Sequence, residues 1–379
     1  MMPDEISDEL VRIAGIIAPH EREMELRALK TRSGVGLTAL RESLRMVVRA
    51  QQEAAAQQRI NPLLEQLREQ GWFMLLDGGK VWAARFAQSA LNGHSVRKLE
   101  CLSVPDFVTW VHHLDPDTSV EESPGRTFVK SPDMPRYDGT TIDPSAPLSA
   151  SGKLNLWRGF GVTPEPDAEA VRVFWEHVLR VCGGDDVAAK YIMDWIAWGF
   201  QNPGKRIGTA VVLIGAPGTG KGMIGNLLAS IWGSHGLSLR DKRSIVGDFN
   251  AHLTECAFAF VDEALFSGDK QTADKIKGLI TEPTLMTEAK FKSRAETTNM
   301  LKMIMASNHE HAIQVDPQDR RFAVIRVPDD MPGSKDEYWK TFYKVCHSVT
   351  GRAGILSHML HRDIHEFNPE GDRPVTQGY

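Results

Sequence analysis

The feature that most constrains this chain is a glycine-rich run at residues 215–222, with the sequence GAPGTGKG. An apolar segment, residues 209–214, precedes the run, and a helix-like segment, residues 223–229, follows it. This order predicts a strand, a glycine loop and a helix, in which backbone N–H groups and the positive end of the helix face a bound phosphate. We therefore expect a nucleotide site formed by Gly215, Ala216, Pro217, Gly218, Thr219, Gly220, Lys221, Gly222 and Met223.

The end of this run departs from the usual pattern. Lys221 occupies the position from which a lysine reaches the β- and γ-phosphates. The next residue is ordinarily Ser or Thr, whose hydroxyl binds Mg²⁺, whereas here it is Gly222. The loop thus indicates a bound nucleotide, and it also predicts that the metal is held in another way.

Two adjacent carboxylates, Asp262 and Glu263, follow a second apolar segment, residues 257–261. This is the Walker B arrangement, in which a strand delivers carboxylates beside the phosphates. We assign Asp262 to holding Mg²⁺, directly or through water, and Glu263 to polarising the attacking water. The alternative is a buried strand that ends in a solvated acidic turn, and the glycine loop upstream argues against that reading.

A third apolar segment, residues 303–306, leads to Asn308. An amide at the end of a strand beside the Walker B strand could orient the water or the γ-phosphate. In isolation the alternative, an asparagine that only forms a turn, is the simpler reading. The position of Asn308 after the Walker B pair favours the functional one.

Two arginines, Arg320 and Arg321, open a fourth apolar segment, residues 322–325. Arginine is the usual rigid cation that stabilises charge on a transferring phosphoryl group, often from a neighbouring subunit. The alternative is a surface ion pair with Asp316 or Asp319. The residues alone do not decide which arginine would have which role.

A basic segment lies between the Walker B pair and Asn308, where residues 288–294 read EAKFKSR at the tip of a predicted hairpin. Lysines neutralise backbone phosphates and an aromatic ring stacks on a base, so Lys290, Phe291 and Lys292 are candidate contacts to single-stranded DNA. The whole chain carries a formal net charge of −5, so any nucleic-acid binding has to come from a local patch. The alternative is a solvated basic loop.

Together these elements resemble the superfamily 3 helicases, the AAA+ group encoded by viruses, phages and plasmids. Members carry Walker A, Walker B, a basic hairpin, a strand ending in Asn and an arginine finger in this order. The similarity is greatest to the helicase part of phage, prophage and poxvirus-type primase–helicases, a subgroup that often has Gly-Lys-Gly in the loop. It covers about residues 150–330 and is supported by local strings at residues 191–197, 201–203, 247–250, 279–282, 290–292 and 319–322.

The resemblance implies an α/β fold with an AAA+ P-loop NTPase core on a central, mainly parallel sheet, preceded here by a largely helical N-terminal region. It also implies a homohexameric ring that binds ATP and Mg²⁺ at subunit interfaces and acts as a DNA helicase in replication of a phage, prophage or other mobile element. By position, the resemblance makes Lys221 a phosphate ligand, Asp262 and Glu263 the residues that serve metal and water, and Asn308 a sensor of the γ-phosphate. It makes Arg320 or Arg321 a finger that acts in trans. Lys277, on the helix before the hairpin, is a weaker candidate for a phosphate contact.

Gly222 keeps a second function open. A missing hydroxyl could weaken Mg²⁺ binding, and the chain would then be a nucleotide-dependent DNA-binding origin or loading ring with weak ATPase activity.

Patterning along the chain predicts four regions. Residues 1–113 are mostly helical: apolar residues recur at helical spacing over residues 5–70, and a helix stops at Gly71. A hairpin signal at residues 77–80 lies between two short apolar runs, residues 72–76 and 81–84. The region lacks an Asp-x-Asp strand of the primase type, so we interpret it as a collar for oligomerisation or for docking a primase or initiator protein. Residues 114–166 are interpreted as a loop-rich connector and residues 167–330 as the superfamily 3 domain, which begins with helices at residues 167–202. Residues 331–379 are interpreted as a C-terminal helix near residues 335–349 and a polar tail.

Composition excludes several other classes. The four cysteines form no CxxC and no close Cys/His pair, which argues against a zinc site and against a disulfide framework. No apolar stretch is long enough for a membrane span, and the N-terminus does not resemble a signal peptide. The predicted location is therefore the cytoplasm, that of a bacterial host if a phage encodes the chain.

Overall fold

The computed structural model describes residues 2–91, 94–116, 123–146, 149–150, 152–240, 251–262, 270–287, 295–308, 319–329 and 337–374. The chain forms two compact units. One comprises Met1–Met74, Val81–Arg85 and Cys101–Pro135, and the other comprises Leu75–Lys80, Phe86–Glu100 and Arg136–Tyr379. None of the helices in the described ranges is long and apolar enough to cross a membrane.

The first unit is mainly helical, as predicted for residues 5–70. Its helices are α1 (Pro3–Ala14), α2 (Pro19–Ser33), α3 (Leu37–Glu69), α4 (Val104–His112) and α5 (Pro124–Lys130). Apolar residues at helical spacing on α1, α2 and α3 form one core, and residues from α3, α4 and α5 form a second core around Trp72. The predicted end of α3 near Gly71 is confirmed, because Gly71 has a φ of 75°, which stops a helix readily.

A predicted β-hairpin is confirmed at residues 73–91. The strands are β1 (Phe73–Asp77) and β2 (Lys80–Leu91), and the turn places Gly78 and Gly79 at φ values of 58° and 74°. Two consecutive left-handed residues are the hairpin turn whose twist matches the strands. With β3 (His94–Ser103) and β4 (Arg136–Tyr137) they form a sheet in the order β3–β2–β1–β4.

Short strands and two long helices open the second unit. The strands β5 (Thr140–Thr141), β6 (Ser149–Ala150) and β7 (Lys153–Asn155) form a small sheet within the predicted connector. The helices predicted at residues 167–202 are confirmed as α6 (Ala168–Val181) and α7 (Asp186–Gln201). Asp167 and Asp185 cap them by accepting hydrogen bonds from backbone N–H groups of the first turns.

A parallel five-stranded sheet forms the centre of this unit. Its strands are β8 (Ala210–Ile214), β9 (Gly236–Leu239), β10 (Phe258–Asp262), β13 (Lys302–Ser307) and β14 (Phe322–Arg326), in the order β14–β8–β13–β10–β9. Alternate residues of these strands belong to two apolar cores, one on each face. A sheet buried on both faces explains why its strands read as continuous apolar runs. The predicted mixed α/β fold with a parallel sheet is confirmed.

The remaining elements connect or cover this sheet. They are α8 (Lys221–Trp232), α9 (Lys270–Thr281), the antiparallel pair β11 (Thr284–Thr287) and β12 (Ala295–Thr298), α10 (Glu337–Cys346), α11 (Val349–His361) and two short 3₁₀ turns, Gly233–His235 and Ala251–Leu253.

The chain after α10 differs from the predicted polar tail. It forms α11, which buries Ile355, Leu356 and Met359 in the core. Gly354 allows close packing, because a Cβ there would lie 2.3 Å from Cβ of Asp167 at the start of α6. Glycines lower the helix propensity of this segment, so the sequence pattern does not predict α11. The three boundaries between the four predicted regions stay a prediction.

The two glycines of α8, Gly222 and Gly225, differ in how much room their surroundings leave for a Cβ atom. A Cβ at Gly225 would lie 1.9 Å from Cδ2 of Phe260, whereas a Cβ at Gly222 would meet nothing nearer than Nδ2 of Asn226 at 3.7 Å. We expect Gly225→Ala to lower the free energy of unfolding by about 1–3 kcal/mol, because the helix or the ring must shift. Gly222→Ala is the matched control and should raise it by up to about 1 kcal/mol through helix propensity. Urea unfolding followed by circular dichroism measures both, and equal midpoints would contradict the packing.

Candidate functional site

The glycine loop leaves the carboxyl end of β8, the second strand of the sheet, and enters α8 directly. Gly218 and Gly220 adopt left-handed φ values of 81° and 84°. Gly220 is also crowded, since a Cβ there would lie 2.7 Å from the Trp339 ring and 2.8 Å from the His177 ring. Two requirements, a left-handed backbone and a close approach of two helices, therefore explain this glycine.

The Lys221 side chain folds into the loop. It is buried, and its ammonium donates to the carbonyl oxygens of Gly215 and Ala216 at 2.6 and 2.7 Å and to Oγ1 of Thr219 at 3.1 Å. The ammonium thus stays at the mouth of the loop with its hydrogen bonds satisfied. A phosphate oxygen at this position would replace neutral acceptors by a charged one, which forms the stronger bond.

The register of the sheet brings Asp262 and Asn308 to the same edge as the glycine loop. Strand β13 lies between β8 and β10, with Ser307 opposite Ile214 and Asp262 opposite Ala306. Asn308 follows β13 directly, so its side chain, Asp262 and the glycine loop all occur at the carboxyl ends of adjacent parallel strands. A cavity of about 410 Å³ lies there, lined by Pro217, Gly218, Thr219, Gly220, Lys221, Gly222, Met223, Asn226, Asp262, Asn308, Trp339 and Tyr343.

The space around Gly222 would admit a larger side chain. The nearest neighbours of a Cβ at this position, Asn226 and Phe260, would be at ordinary van der Waals distances of 3.7 and 3.9 Å. Asn226 lies one turn further along α8, and its Oδ1 accepts a hydrogen bond of 2.7 Å from Oγ of Ser238 on β9. The amide is therefore held at the cavity wall near the position where the usual hydroxyl would be.

The donor set fits Mg²⁺ better than a metal held by a protein cage. In the described ranges, no group of three His, Cys, Asp or Glu side chains is placed to hold a metal ion. Mg²⁺ typically keeps several waters and is bound by one or two carboxylates together with substrate phosphates. Asp262 at the cavity wall is such a carboxylate.

The two arginines do not line this cavity. Nη1 of Arg321 lies 3.3 Å from Oδ2 of Asp319, and Nζ of Lys277 lies 3.4 Å from the same oxygen. Nε of Arg320 lies 3.7 Å from Oε2 of Glu370, with 78% of the Arg320 side chain exposed. Within one chain, the ion-pair alternative holds for Arg321, and neither arginine approaches its own glycine loop.

Several predicted residues lie outside the described ranges. These are Glu263 of the Walker B pair and the basic tip residues Lys290, Phe291 and Lys292. The flanking strands β11 and β12 pair in antiparallel register up to Thr287 and Ala295, as a hairpin requires.

Sequence reasoning missed three residues that border the loop: His177, Trp339 and Tyr343. Nδ1 of His177 forms a hydrogen bond of 2.6 Å with the Tyr338 hydroxyl, and its ring packs on Phe342 and Trp339. Burial lowers the pKa of His177 to about 4, the backbone of Gly220 opposes this shift, and Arg180 adds to it. The only signal in the sequence was the four-residue spacing of Trp339 and Tyr343, which places both on one helix face.

Comparison with known proteins gives one family, one curated relative and solved structures. A family described as a family of unknown function (DUF5906) matches residues 213–321. The DNA primase-polymerase of Nitratiruptor phage NrS-1 is 25% identical over 237 residues, which are 59% of this chain and 32% of the relative. The chain thus spans about a third of that relative's length.

Two solved apo structures of the NrS-1 C-terminal region share the fold, each with a TM-score of 0.61 at 20% identity. The first match covers 81% of this chain and 70% of the solved one, and the second covers 82% and 71%. The chain is therefore similar to a phage primase-polymerase and has the fold of its C-terminal region.

The lowered pKa of His177 predicts a loss of stability in acid. The folded pKa of about 4 lies below the ordinary value of 6.5. The unfolded chain therefore binds the proton first, and stability present above pH 6.5 is lost as the pH falls towards 4. We expect His177→Phe to remove about 2–3 kcal/mol of the difference in unfolding free energy between pH 7.5 and pH 4.5.

Unfolding in urea at the two pH values measures this difference. His20→Phe, at an exposed histidine, is the control and should leave the difference unchanged. Some acid dependence will remain in every variant, because burial also lowers the pKa of His235 to about 4. An unaltered difference in His177→Phe would show that His177 does not carry this linkage.

Proposed function

We propose that this chain is an ATP-dependent DNA helicase or translocase of the superfamily 3 type, which acts as a hexameric ring in replication of a phage, prophage or other mobile element. The observation that supports this most directly is the meeting of Lys221, Asp262 and Asn308 at one cavity beside the glycine loop. The similarity to a phage DNA primase-polymerase supports a role in replication. In this proposal the parallel sheet is an AAA+ P-loop core, and the chain works in the cytoplasm of the phage host.

The cavity residues would have separate roles in ATP hydrolysis. The loop N–H groups and Lys221 bind the β- and γ-phosphates, and Asn308 contacts the γ-phosphate or the water that attacks it. Asp262 holds Mg²⁺, which supplies charge neutralisation at the phosphates when it is bound. Glu263, next in the chain, accepts the proton of the attacking water.

DNA contact is assigned to the hairpin between β11 and β12. The proposal places Lys290, Phe291 and Lys292 in the pore of the ring, where cations bind the backbone of single-stranded DNA and the ring of Phe291 stacks or packs beside it. A chain of net charge −5 needs such a local patch. The helical first unit is proposed as the collar that assembles the ring or recruits a primase or initiator protein.

Strand displacement on a forked duplex with ATP tests this function. Lys221→Ala removes the cation from the phosphate site, and we expect the rates of ATP hydrolysis and unwinding to fall by about 10²-fold or more. The control is Lys153→Ala, at an exposed lysine of β7 that does not line the cavity. Unwinding unchanged by Lys221→Ala would reject the proposal.

The same measurements separate the second candidate, a loading ring with weak ATPase activity. The observation that favours it is Gly222, which provides no hydroxyl for Mg²⁺ although space is available. Turnover near background in the unmodified chain, together with oligomerisation that depends on nucleotide, would support the loading ring over the helicase.

Mixed rings test whether an arginine acts in trans. A ring that combines Arg320→Ala or Arg321→Ala subunits with Lys221→Ala subunits contains some interfaces with an intact loop and an intact arginine. We expect such mixtures to recover part of the ATPase activity that each variant lacks alone. Native mass spectrometry verifies subunit exchange, and absence of recovery in exchanged rings would contradict the trans assignment.

A further inference from the structure

We propose that Tyr343 on α10 is the platform on which the base of the bound nucleoside triphosphate stacks. This inference rests on the proposed function and adds to it the part of the site that recognises the base. The residues assigned above all contact phosphates, metal or water. A nucleotide whose phosphates lie on the glycine loop also has to place its base against some surface.

Trp339 sets the position of α10 relative to the loop. It is 8% exposed, and two of its ring atoms lie 2.7 and 3.0 Å from where a Cβ of Gly220 would be. His177 on α6 packs against it with ring centroids 5.9 Å apart and the ring planes at 75°. The helix α10 is thus packed directly on the loop that would hold the phosphates.

Tyr343 follows Trp339 by one helical turn on the same face of α10. Four residues correspond to a rise of about 6 Å along the helix, directed away from the point where Trp339 touches the loop. Both side chains line the cavity, but Tyr343 keeps 57% of its surface exposed. Among the twelve large hydrophobic side chains that are exposed in the described ranges, two are aromatic, Trp110 and Tyr343, and Tyr343 lies at the wall of the candidate nucleotide cavity.

The Tyr343 ring is also held in place. It stacks on His347 with ring centroids 4.8 Å apart and the ring planes 28° from parallel, and the backbone N–H of His347 donates to the carbonyl oxygen of Tyr343 at 3.2 Å. A ring already ordered by a stacking partner loses little conformational freedom when a ligand stacks on it. The cavity therefore offers the glycine loop to the phosphates of a nucleotide and an aromatic surface to its base.

Comparing two ligands separates the nucleoside from the phosphates. ATP and inorganic tripolyphosphate share the triphosphate, but only ATP carries a ribose and a base, and calorimetry on the full chain with equal Mg²⁺ measures both affinities. We expect Tyr343→Ala to weaken ATP binding about tenfold, in line with loss of one base–aromatic stack, and to leave tripolyphosphate binding unchanged. Tyr343→Phe keeps the ring face and should bind ATP like the unmodified chain. Thr341→Ala, an exposed neighbour on α10 that does not line the cavity, is the control.

The outcomes separate this inference from the proposed function. If the unmodified chain binds tripolyphosphate as tightly as ATP, or if Tyr343→Ala binds ATP normally, the platform is wrong while the phosphate site stands. If neither ligand binds the unmodified chain, both the nucleotide site and the platform fail. If Tyr343→Ala weakens binding of single-stranded DNA but not of ATP, the ring serves a DNA base and the inference is overturned.

Discussion

The candidate site depends on the parallel register of β8, β13 and β10. Along the chain the glycine loop comes first, then Asp262, then Asn308, yet β13 lies between the other two strands. Parallel pairing places all three carboxyl ends at one edge, so polar residues widely separated in sequence meet there. Both faces of the sheet are buried, and a slip of one residue would turn the side chains of each apolar core to the opposite face and disrupt the packing of both cores.

A second constraint is the crowding around the loop. Gly220 lies between His177 of α6 and Trp339 of α10, and Gly225 lies against Phe260 of β10. The loop is therefore fixed by elements on several sides. A phosphate-binding loop that is formed before the ligand arrives does not have to reorganise its N–H groups when charge develops. Such preorganised donors are usually the largest contribution to catalysis at a site of this kind. The Lys221 ammonium is also held at the loop before a ligand arrives, by three acceptors that a phosphate oxygen would then replace in part.

The elements that were predictable carry a local signal. The glycine loop, the apolar strands β8, β10, β13 and β14, the hairpin at Gly78 and Gly79, and the helices of residues 5–70 all follow from period, turn residues or continuous apolar runs. Helix α11 and the contacts of His177 and Trp339 carry no such local signal. They depend on packing between segments far apart in the chain, as when Gly354 meets Asp167 or Trp339 meets Gly220, and nothing local encodes such a partner.

Arg320 and Arg321 differ in the contacts that each would lose on extending towards a neighbouring subunit. Arg321 lies against Asp319, whose side chain is only 8% exposed, and its backbone N–H also donates to Oδ1 of that residue at 3.1 Å. Arg320 is 78% exposed and has a long contact of 3.7 Å with a surface glutamate, a kind of pair that contributes little. Moving Arg321 outward would break a more sheltered pair, although Lys277 would still neutralise Asp319. In a ring of the proposed kind, Arg320 is therefore the arginine that can extend towards a neighbour with the smaller loss of existing contacts.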